Sequence, residues 1–243
     1  ADSIASPNTT LNAIVAEAFC EAADILEKAD DFDMAVHDLI KKYLSEHQRI
    51  IFNGNGYSDE WVSEAERRGL PNIKSMVAAV ETLTTDKSVK LFERFGIFTK
   101  AELESRAEVL YETYAKTINI EALTMVDMAS KQIIPAVITY ATELAASINE
   151  VTAALPDADV SVQTELLTET QALLSDTKVA LAKLTDVQAK GAAMPDGKEQ
   201  AEYYRDVVKT AMDELRAPVD KLEMIVDKEI WPLPSYGDLM FEV

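Results

Sequence analysis

Apolar residues recur at every third or fourth position between Thr99 and Ala145. They are Leu103, Ala107, Leu110, Tyr114, Ile118, Ala122, Val126, Ala129, Ile133, Val137, Tyr140 and Leu144. This spacing places them along one face of an α-helix that is roughly 70 Å long and needs other long helices alongside it. Thr99 and Glu102 predict a capping box at its start. Pro135 predicts a kink or a short break, because its ring clashes with the carbonyl of Lys131.

The N-terminal residues predict two shorter helices. After a polar lead-in, the first helix extends to about Ala29, with Asn8 or Thr9 as its N-cap. Its apolar face consists of Leu11, Ile14, Val15, Ala18, Ala22, Ile25 and Leu26. Asp33 is the predicted N-cap of a second helix, which continues through Glu46 and turns Val36, Leu39, Ile40 and Tyr43 inward.

A glycine-rich loop and further short helices precede the long helix. Asn53-Gly54-Asn55-Gly56 predicts a tight loop, because Asn and Gly tolerate left-handed backbone angles. Ser58 is the predicted cap of a helix over 59–68. Leu70-Pro71 opens a predicted helical run to about residue 83, and one more helix starts at Thr85-Asp86 and stops at Gly96.

Two matched stripes beyond residue 157 predict an antiparallel helical hairpin. The first arm carries Val162, Leu166, Thr170, Leu173, Thr177, Leu181, Leu184 and Gln188. The second arm carries Ala201, Tyr204, Val208, Ala211, Leu215, Val219, Leu222, Ile225 and Glu229. A mean spacing near 3.5 with charged flanks is typical of coiled-coil packing. A loop over 191–197 joins the arms, and Pro218 is expected to bend the second arm.

The pattern as a whole predicts an all-α multi-helix bundle with a long kinked central helix and an antiparallel coiled-coil-like hairpin. We divide the chain into 1–98, the long central helix 99–156, the hairpin 157–230 and a C-terminal tail 231–243. Three aromatic residues and two prolines between Trp231 and Phe241 predict a tail held in a groove.

Charge and composition exclude several classes of function. The 243 residues include 43 acidic and 23 basic side chains, for a formal net charge of −20. Such a chain repels phosphate backbones and anionic lipid, so no nucleic-acid or membrane partner is expected. No apolar run approaches the roughly 18 residues of a membrane span. Cys20 is the one cysteine, which excludes an internal disulfide and fits a reducing, cytoplasmic location.

No motif for catalysis or cofactor binding emerges from the residues alone. Asp33 and His37 have the spacing of a helical metal pair, but a cap and a solvated histidine explain them better. Gly54-x-Gly56 lacks the third glycine and the Lys-Ser/Thr of nucleotide loops, which favours a structural turn. Cys20 has no histidine near it in sequence, which favours an inert thiol. We therefore assign no catalytic, cofactor-binding or metal-binding residue.

Four segments resemble the C-terminal region of type III glutamine synthetases, the long bacterial form. They are SIASPNTTLNAIVAEAF, HQRIIFNGNGYSDEWVSEAERRGLPN, ESRAEVLYETYAKTINIEALTMVDMA and WPLPSYGDLMF. The resemblance covers essentially the whole chain. It is most specific over 53–68 and 117–128 and least specific over the hairpin.

The resemblance implies a parent enzyme that joins ammonia to glutamate. That reaction uses ATP, magnesium or manganese ions and a γ-glutamyl phosphate, in an active site between subunits of a homo-oligomeric ring. The family's metal-binding and phosphate-binding residues all precede the start of this chain. Residues Pro7 to Leu11 occupy the loop and helix start that follow the family's last arginine-bearing strand. The resemblance implies that these residues support that strand and bind no substrate. The resemblance thus predicts an exposed apolar strip between Leu11 and Leu26, where the sheet packs.

Three hypotheses follow. The preferred one is a C-terminal helical fragment of a type III enzyme, structural and without a complete active site, whose partners are the rest of the parent chain and neighbouring subunits. The absence of an initiator Met fits a processed chain or a piece of a longer one. The alternative is a stand-alone acidic helical interaction module that grips a partner with the hairpin. In a third hypothesis, the hairpin sets how rings of the parent stack.

Overall fold

The computed structural model describes residues 3–241, and every regular element within them is helical. The α-helices are α1 (Ala5–Leu26), α2 (Phe32–Glu46), α3 (Asp59–Arg67), α4 (Met76–Val80), α5 (Asp86–Arg94), α6 (Lys100–Met128), α7 (Ile134–Ala154), α8 (Ser161–Ala192), α9 (Lys198–Tyr203), α10 (Lys209–Glu223) and α11 (Tyr236–Phe241). The all-α prediction is confirmed. Residues 1–2 and 242–243, which the predicted lead-in and tail include, lie outside the described range. Among the helices of residues 3–241, none combines the length and the apolar character that crossing a membrane requires.

The chain forms two compact units, Ala1–Ala107 and Glu108–Val243. In the first unit, α1 packs against α2 and α5. Its core contains Ala13, Phe92 and Leu103, with Val89, Leu91, Ile97 and Phe98 around them. In the second unit, α8 packs against both α7 and α10.

Helix α1 begins at Ala5, so the predicted cap at Asn8 or Thr9 is wrong. Pro7 lies within the first turn, where its missing N–H costs nothing because that group has no intrahelical partner. The hydroxyls of Thr9 and Thr10 bond to the carbonyls four residues earlier instead of capping the helix, at 2.9 and 3.0 Å. Residues 5–8 of the predicted polar lead-in are therefore helical.

Two other helix starts also differ from the prediction. Asp31, not Asp33, caps α2, because its Oδ1 accepts a hydrogen bond from the N–H of Met34 at 3.0 Å. The helical run predicted from residue 70 starts only at α4, which Ser75 caps. A residue that precedes proline is disfavoured in the helical region, which explains why Leu70 lies outside a helix. The cap predicted at Ser58 is confirmed, and the helix predicted to start at Thr85-Asp86 begins at Asp86.

The long helix starts with the predicted capping box. Glu102 Oε2 accepts from the N–H of Thr99 at 2.8 Å, and Thr99 Oγ1 accepts from the N–H of Glu102 at 3.3 Å. The helix continues unbroken for 55 residues. A π-helical turn over 129–133 precedes Pro135, and the N–H of Ile134 bonds to the carbonyl of Ala129 there. The wider turn accommodates the proline without ending the helix.

Helix α8 and the second arm, α9 to α10, form the predicted hairpin in the second unit. Leu181, Leu184 and Val187 pack with the second-arm residues Tyr204, Val208, Ala211, Met212 and Leu215. A π-helical turn over 204–208 interrupts the second arm. Helix α10 ends at Glu223, six residues before the predicted last stripe position at Glu229, which is exposed.

Three helical segments of the second unit meet at one side-chain oxygen. Oδ1 of Asn119 accepts hydrogen bonds from Gln188 Nε2 and from Tyr204 Oη, both at 2.8 Å. Tyr204 is buried, and Gly191 lies beneath its ring. A Cβ at Gly191 would lie 3.1 Å from Tyr204 Cζ, so the glycine that was predicted to open the loop is a buried helical residue.

The C-terminal tail follows its prediction only in part. Trp231 packs against the cluster of Ile133, Val137 and Leu222, and residues 232–233 are half-buried. Residues 236–241 form the short helix α11 with Tyr236, Leu239, Met240 and Phe241 exposed. The prediction of a tail held in a groove is therefore wrong for α11.

Two buried threonines on α8 allow a matched stability test. Thr170 and Thr177 are both fully buried, but only Thr177 Oγ1 has a partner, the carbonyl of Leu173 at 2.8 Å. Thr170 Oγ1 has none within the described part of the chain. Thr170→Val should raise the free energy of unfolding by about 1 kcal/mol, because it removes an unpaired buried hydroxyl. Thr177→Val should raise the free energy of unfolding less, because it also removes the hydrogen bond to the carbonyl of Leu173. Chemical denaturation measures the free energy of unfolding of both variants. Equal effects would contradict this account.

Candidate functional site

The first helix turns its more apolar side outward. Leu11 is 59% exposed, Val15 is 51% exposed and Phe19 is 72% exposed, and Ile14 and Ile25 are exposed as well. A helix of a globular unit usually buries its apolar stripe. Exposed apolar residues that share one helix face mark an interaction surface. The strip predicted between Leu11 and Leu26 is exposed over most of its length, but Ala22 and Leu26 are half-buried.

The opposite side of α1 fixes it to the core of the first unit. Ala13 is buried against Phe92 and Leu103. Glu17 forms an ion pair with Arg94 of α5, with 2.6 Å between Oε1 and Nη1. A small side chain and a salt bridge therefore face the core, and the larger apolar side chains remain outside. The orientation of α1 is set by contacts within its own unit.

A second feature of the first unit is the loop before α3, within the segment of strongest family resemblance. The rings of Phe52 and Trp61 stack with their centroids 4.1 Å apart. Gly54 crosses close to Phe52, and a Cβ on Gly54 would lie 2.5 Å from Phe52 Cζ. Only glycine permits this approach of the backbone to the ring.

Arg68 connects this loop to α3. Its Nη1 donates to the carbonyls of Ile51 and Arg49 at 2.8 and 3.3 Å, and its Nε pairs with Glu64 at 2.5 Å. The guanidinium also lies 5.6 Å from the centroid of Trp61, within range of a cation–π interaction. Arg68 thus joins the backbone that enters the loop to the helix that leaves it.

The far side of the loop is held by the cap of α3. Asn55 Oδ1 accepts from the N–H of Tyr57 at 3.0 Å, and Ser58 Oγ donates to the carbonyl of Asn55 at 3.0 Å. Ser58 Oγ also accepts from the N–H of Trp61 at 3.3 Å. The side chain of Tyr57 is fully exposed. The loop is ordered from both ends and presents its tip to solvent.

The residues that sequence analysis weighed for chemistry lie apart from these features. Asp33 and His37 are both exposed on α2, and Cys20 is a half-buried free thiol on α1. Among residues 3–241, no three His, Cys, Asp or Glu side chains come close enough to hold a metal ion. The Gly54-x-Gly56 turn is the one of these features that belongs to the loop just described.

Comparison with known proteins identifies the family. Residues 35–152 match the family model described as the glutamine synthetase C-terminal domain. This region contains the loop before α3, to which Arg68 is bonded, and most of the long helix. The chain belongs to the glutamine synthetase C-terminal domain family.

Individual relatives extend the match to most of the chain. It is 36% identical over 214 residues to a glutamine synthetase of Butyrivibrio fibrisolvens, which covers 88% of this chain and 31% of the relative. It is 31% identical over 246 residues to the type-3 glutamine synthetase of Dictyostelium discoideum, which covers 97% of this chain and 33% of the relative. The chain spans about a third of the length of these relatives. The resemblance to the type III form is confirmed.

Sequence reasoning missed the interactions of Arg68. A helix-terminal arginine is ordinarily a solvated charge, and nothing in its spacing shows that the guanidinium meets carbonyls 17 and 19 residues away. Phe52 and Trp61 were the available signal, since two aromatic residues that flank a glycine-rich loop can stack on each other.

The ion pairs on α3 predict a pH dependence. Arg67 and Arg68 hydrogen-bond to Glu64 and lower the pKa of its carboxyl to about 2. Because the pKa falls on folding, these pairs stabilise the fold above about pH 4.5 and lose their effect as the pH falls towards 2. An NMR titration of the Glu64 carboxyl carbon measures this. In the double variant Arg67→Gln, Arg68→Gln, the midpoint should rise towards 4.5, and an unchanged midpoint would contradict the assignment.

Proposed function

We propose that this chain is the C-terminal helical part of a longer enzyme that ligates ammonia to glutamate at the expense of ATP. The family match supports the parent activity. The observation that carries the structural part is the exposed apolar face of α1, because a solvent-facing stripe of that kind requires a partner surface. In this proposal the chain is a scaffold that supports the catalytic part and carries no complete active site.

The partner of the α1 face is the catalytic part of the same longer chain. The relatives are about three times as long as the region matched, so they contain enough chain to supply such a surface. Helix α1 is already oriented by Ala13 and by the Glu17–Arg94 pair. The face can therefore be covered without rearranging the first unit.

Within residues 3–241, no group of side chains is arranged to hold the metal ions that accompany ATP. Magnesium and manganese prefer several carboxylate oxygens, and the described residues bring no such group together. The Gly54-x-Gly56 loop lacks the third glycine and the Lys-Ser/Thr of nucleotide-binding loops, and the ring of Phe52 lies where a Cβ of Gly54 would stand. The proposal therefore assigns no residue of this chain to those groups.

The assembly of the parent follows from the same proposal. Neighbouring subunits of a homo-oligomeric ring are its further partners, and the division into 1–98, 99–156, 157–230 and 231–243 describes its parts. The net charge of −20 and the free thiol of Cys20 support a cytoplasmic protein without nucleic-acid or membrane partners. No observation favours the stand-alone interaction module.

The proposal that this chain is a scaffold without a complete active site is tested by assaying glutamine formation from glutamate, ammonia and ATP. The 243-residue chain should show no turnover, whereas the longest open reading frame that contains it should be active. Turnover by the short chain alone would contradict the scaffold role. An inactive long product, or a reading frame that begins with this chain, would contradict the parent enzyme.

The docking face is tested by one substitution in two contexts. Val15→Asp should leave the thermal stability of the 243-residue chain almost unchanged, because Val15 is exposed there. In the longer product it should cost about 2 kcal/mol or more, because a charge enters a buried apolar contact. Val179→Asp is the matched control, since Val179 is an exposed apolar residue on α8.

The control variant should behave alike in both contexts. An equal and small cost of Val15→Asp in the short and the long protein would show that the α1 face has no partner in the longer chain.

A further inference from the structure

The loop before α3 contains two Asn-Gly pairs, Asn53-Gly54 and Asn55-Gly56. Asn-Gly pairs can undergo a spontaneous reaction in which the backbone nitrogen of glycine attacks the side-chain carbonyl carbon of asparagine. A new C–N bond closes a succinimide ring, and the side-chain amide nitrogen leaves as ammonia. Water then opens the ring and leaves aspartate or isoaspartate. Glycine permits the reaction because no Cβ crowds the attacking nitrogen.

The two asparagines differ in how the fold holds them. The side chain of Asn55 is fixed, because its Oδ1 accepts from the N–H of Tyr57 at 3.0 Å. The carbonyl of Asn55 accepts from the N–H and the Oγ of Ser58, at 3.3 and 3.0 Å. Ring closure at Asn55 requires rotation about the bond to this carbonyl, which breaks the turn and disturbs the cap of α3.

Asn53 has no such restraint. It is exposed, and within residues 3–241 no hydrogen bond holds its side chain. Its side chain is therefore free to swing over the following peptide bond. At the glycine after it, a Cβ would lie 2.5 Å from Phe52 Cζ, so a side chain there would displace this ring. At Gly56 a Cβ would meet nothing within 4 Å.

We propose that Asn53 is a site of spontaneous deamidation in the folded protein and that the Asn55 turn protects the second pair. Water is the only co-reactant. The product carries one additional carboxylate at the exposed loop, and the isoaspartate form also lengthens the backbone by one carbon.

The test is an incubation of the 243-residue protein at physiological temperature, at neutral and mildly alkaline pH. Peptide mass spectrometry follows the gain of about one mass unit at each asparagine, and an isoaspartate assay confirms the product. We expect Asn53 to react several-fold faster than Asn55. A synthetic peptide of residues 49–60 should react at both positions at similar rates. Asn53→Gln should abolish most of the signal.

Two variants test the protection of Asn55. Ser58→Ala removes the hydroxyl that bonds to the Asn55 carbonyl and caps α3, and should raise the rate at Asn55 several-fold. Ser63→Ala is the control, since Ser63 bonds only to the carbonyl of Asp59 on the same helix, and should leave both rates unchanged.

Several outcomes overturn the proposal. Equal rates at the two asparagines in the folded protein, or a faster reaction at Asn55, would show that the turn does not protect the second pair. A rate at Asn53 far below that in the peptide would show that the fold protects this position as well. An unchanged rate at Asn55 in Ser58→Ala would exclude the cap as the source of protection.

Discussion

Covering one face of a very long helix is the constraint on which this structure depends. An isolated helix gains little stability in water, so most of its stability comes from packing. In the first unit, Leu103 is buried with Ala13 and Phe92. In the second unit, Ala115, Ala122 and Ala129 are buried against the hairpin arms. Small residues at these positions allow the neighbouring helices to approach closely.

The sequence predicted those features that depend on neighbours along the chain. The capping box at Thr99, the cap at Ser58, the helix start at Thr85-Asp86 and the two stripes of the hairpin all follow from residues within one or two turns of each other. Asp31 and Asp33 are both good caps, and the choice between them depends on which residue is extended. Local chemistry does not decide that choice.

Features that depend on tertiary packing were not predictable. The π-helical turn at Tyr204 has no local sequence signal, and it is located where a buried tyrosine bonds to Asn119. Helix α11 has the apolar composition of a buried segment, yet its large side chains are exposed. The exposed strip of α1 was predictable only through the family resemblance, since an apolar stripe alone predicts burial.

The two candidate features of the first unit differ in what holds them. Helix α1 exposes its large apolar residues because Ala13 and Glu17 face the core. The contacts on the buried side of α1 therefore determine which of its residues are exposed. The loop before α3 is held by contacts within its own segment. The guanidinium of Arg68 contacts two backbone carbonyls, the carboxylate of Glu64 and the ring of Trp61. The first feature suits docking onto a large surface, and the second keeps a short loop in one shape.

Asn119 Oδ1 accepts two hydrogen bonds, and these bonds limit how the hairpin can vary in length. Its donors, Gln188 and Tyr204, lie on opposite arms on either side of the connecting turn. One residue inserted or deleted in the helical stretch between either donor and the connecting loop rotates that donor by about 100° on its helix and removes it from the oxygen. The helical residues 188–192 and 198–204 are therefore intolerant of length change, and natural insertions among homologues should fall outside them.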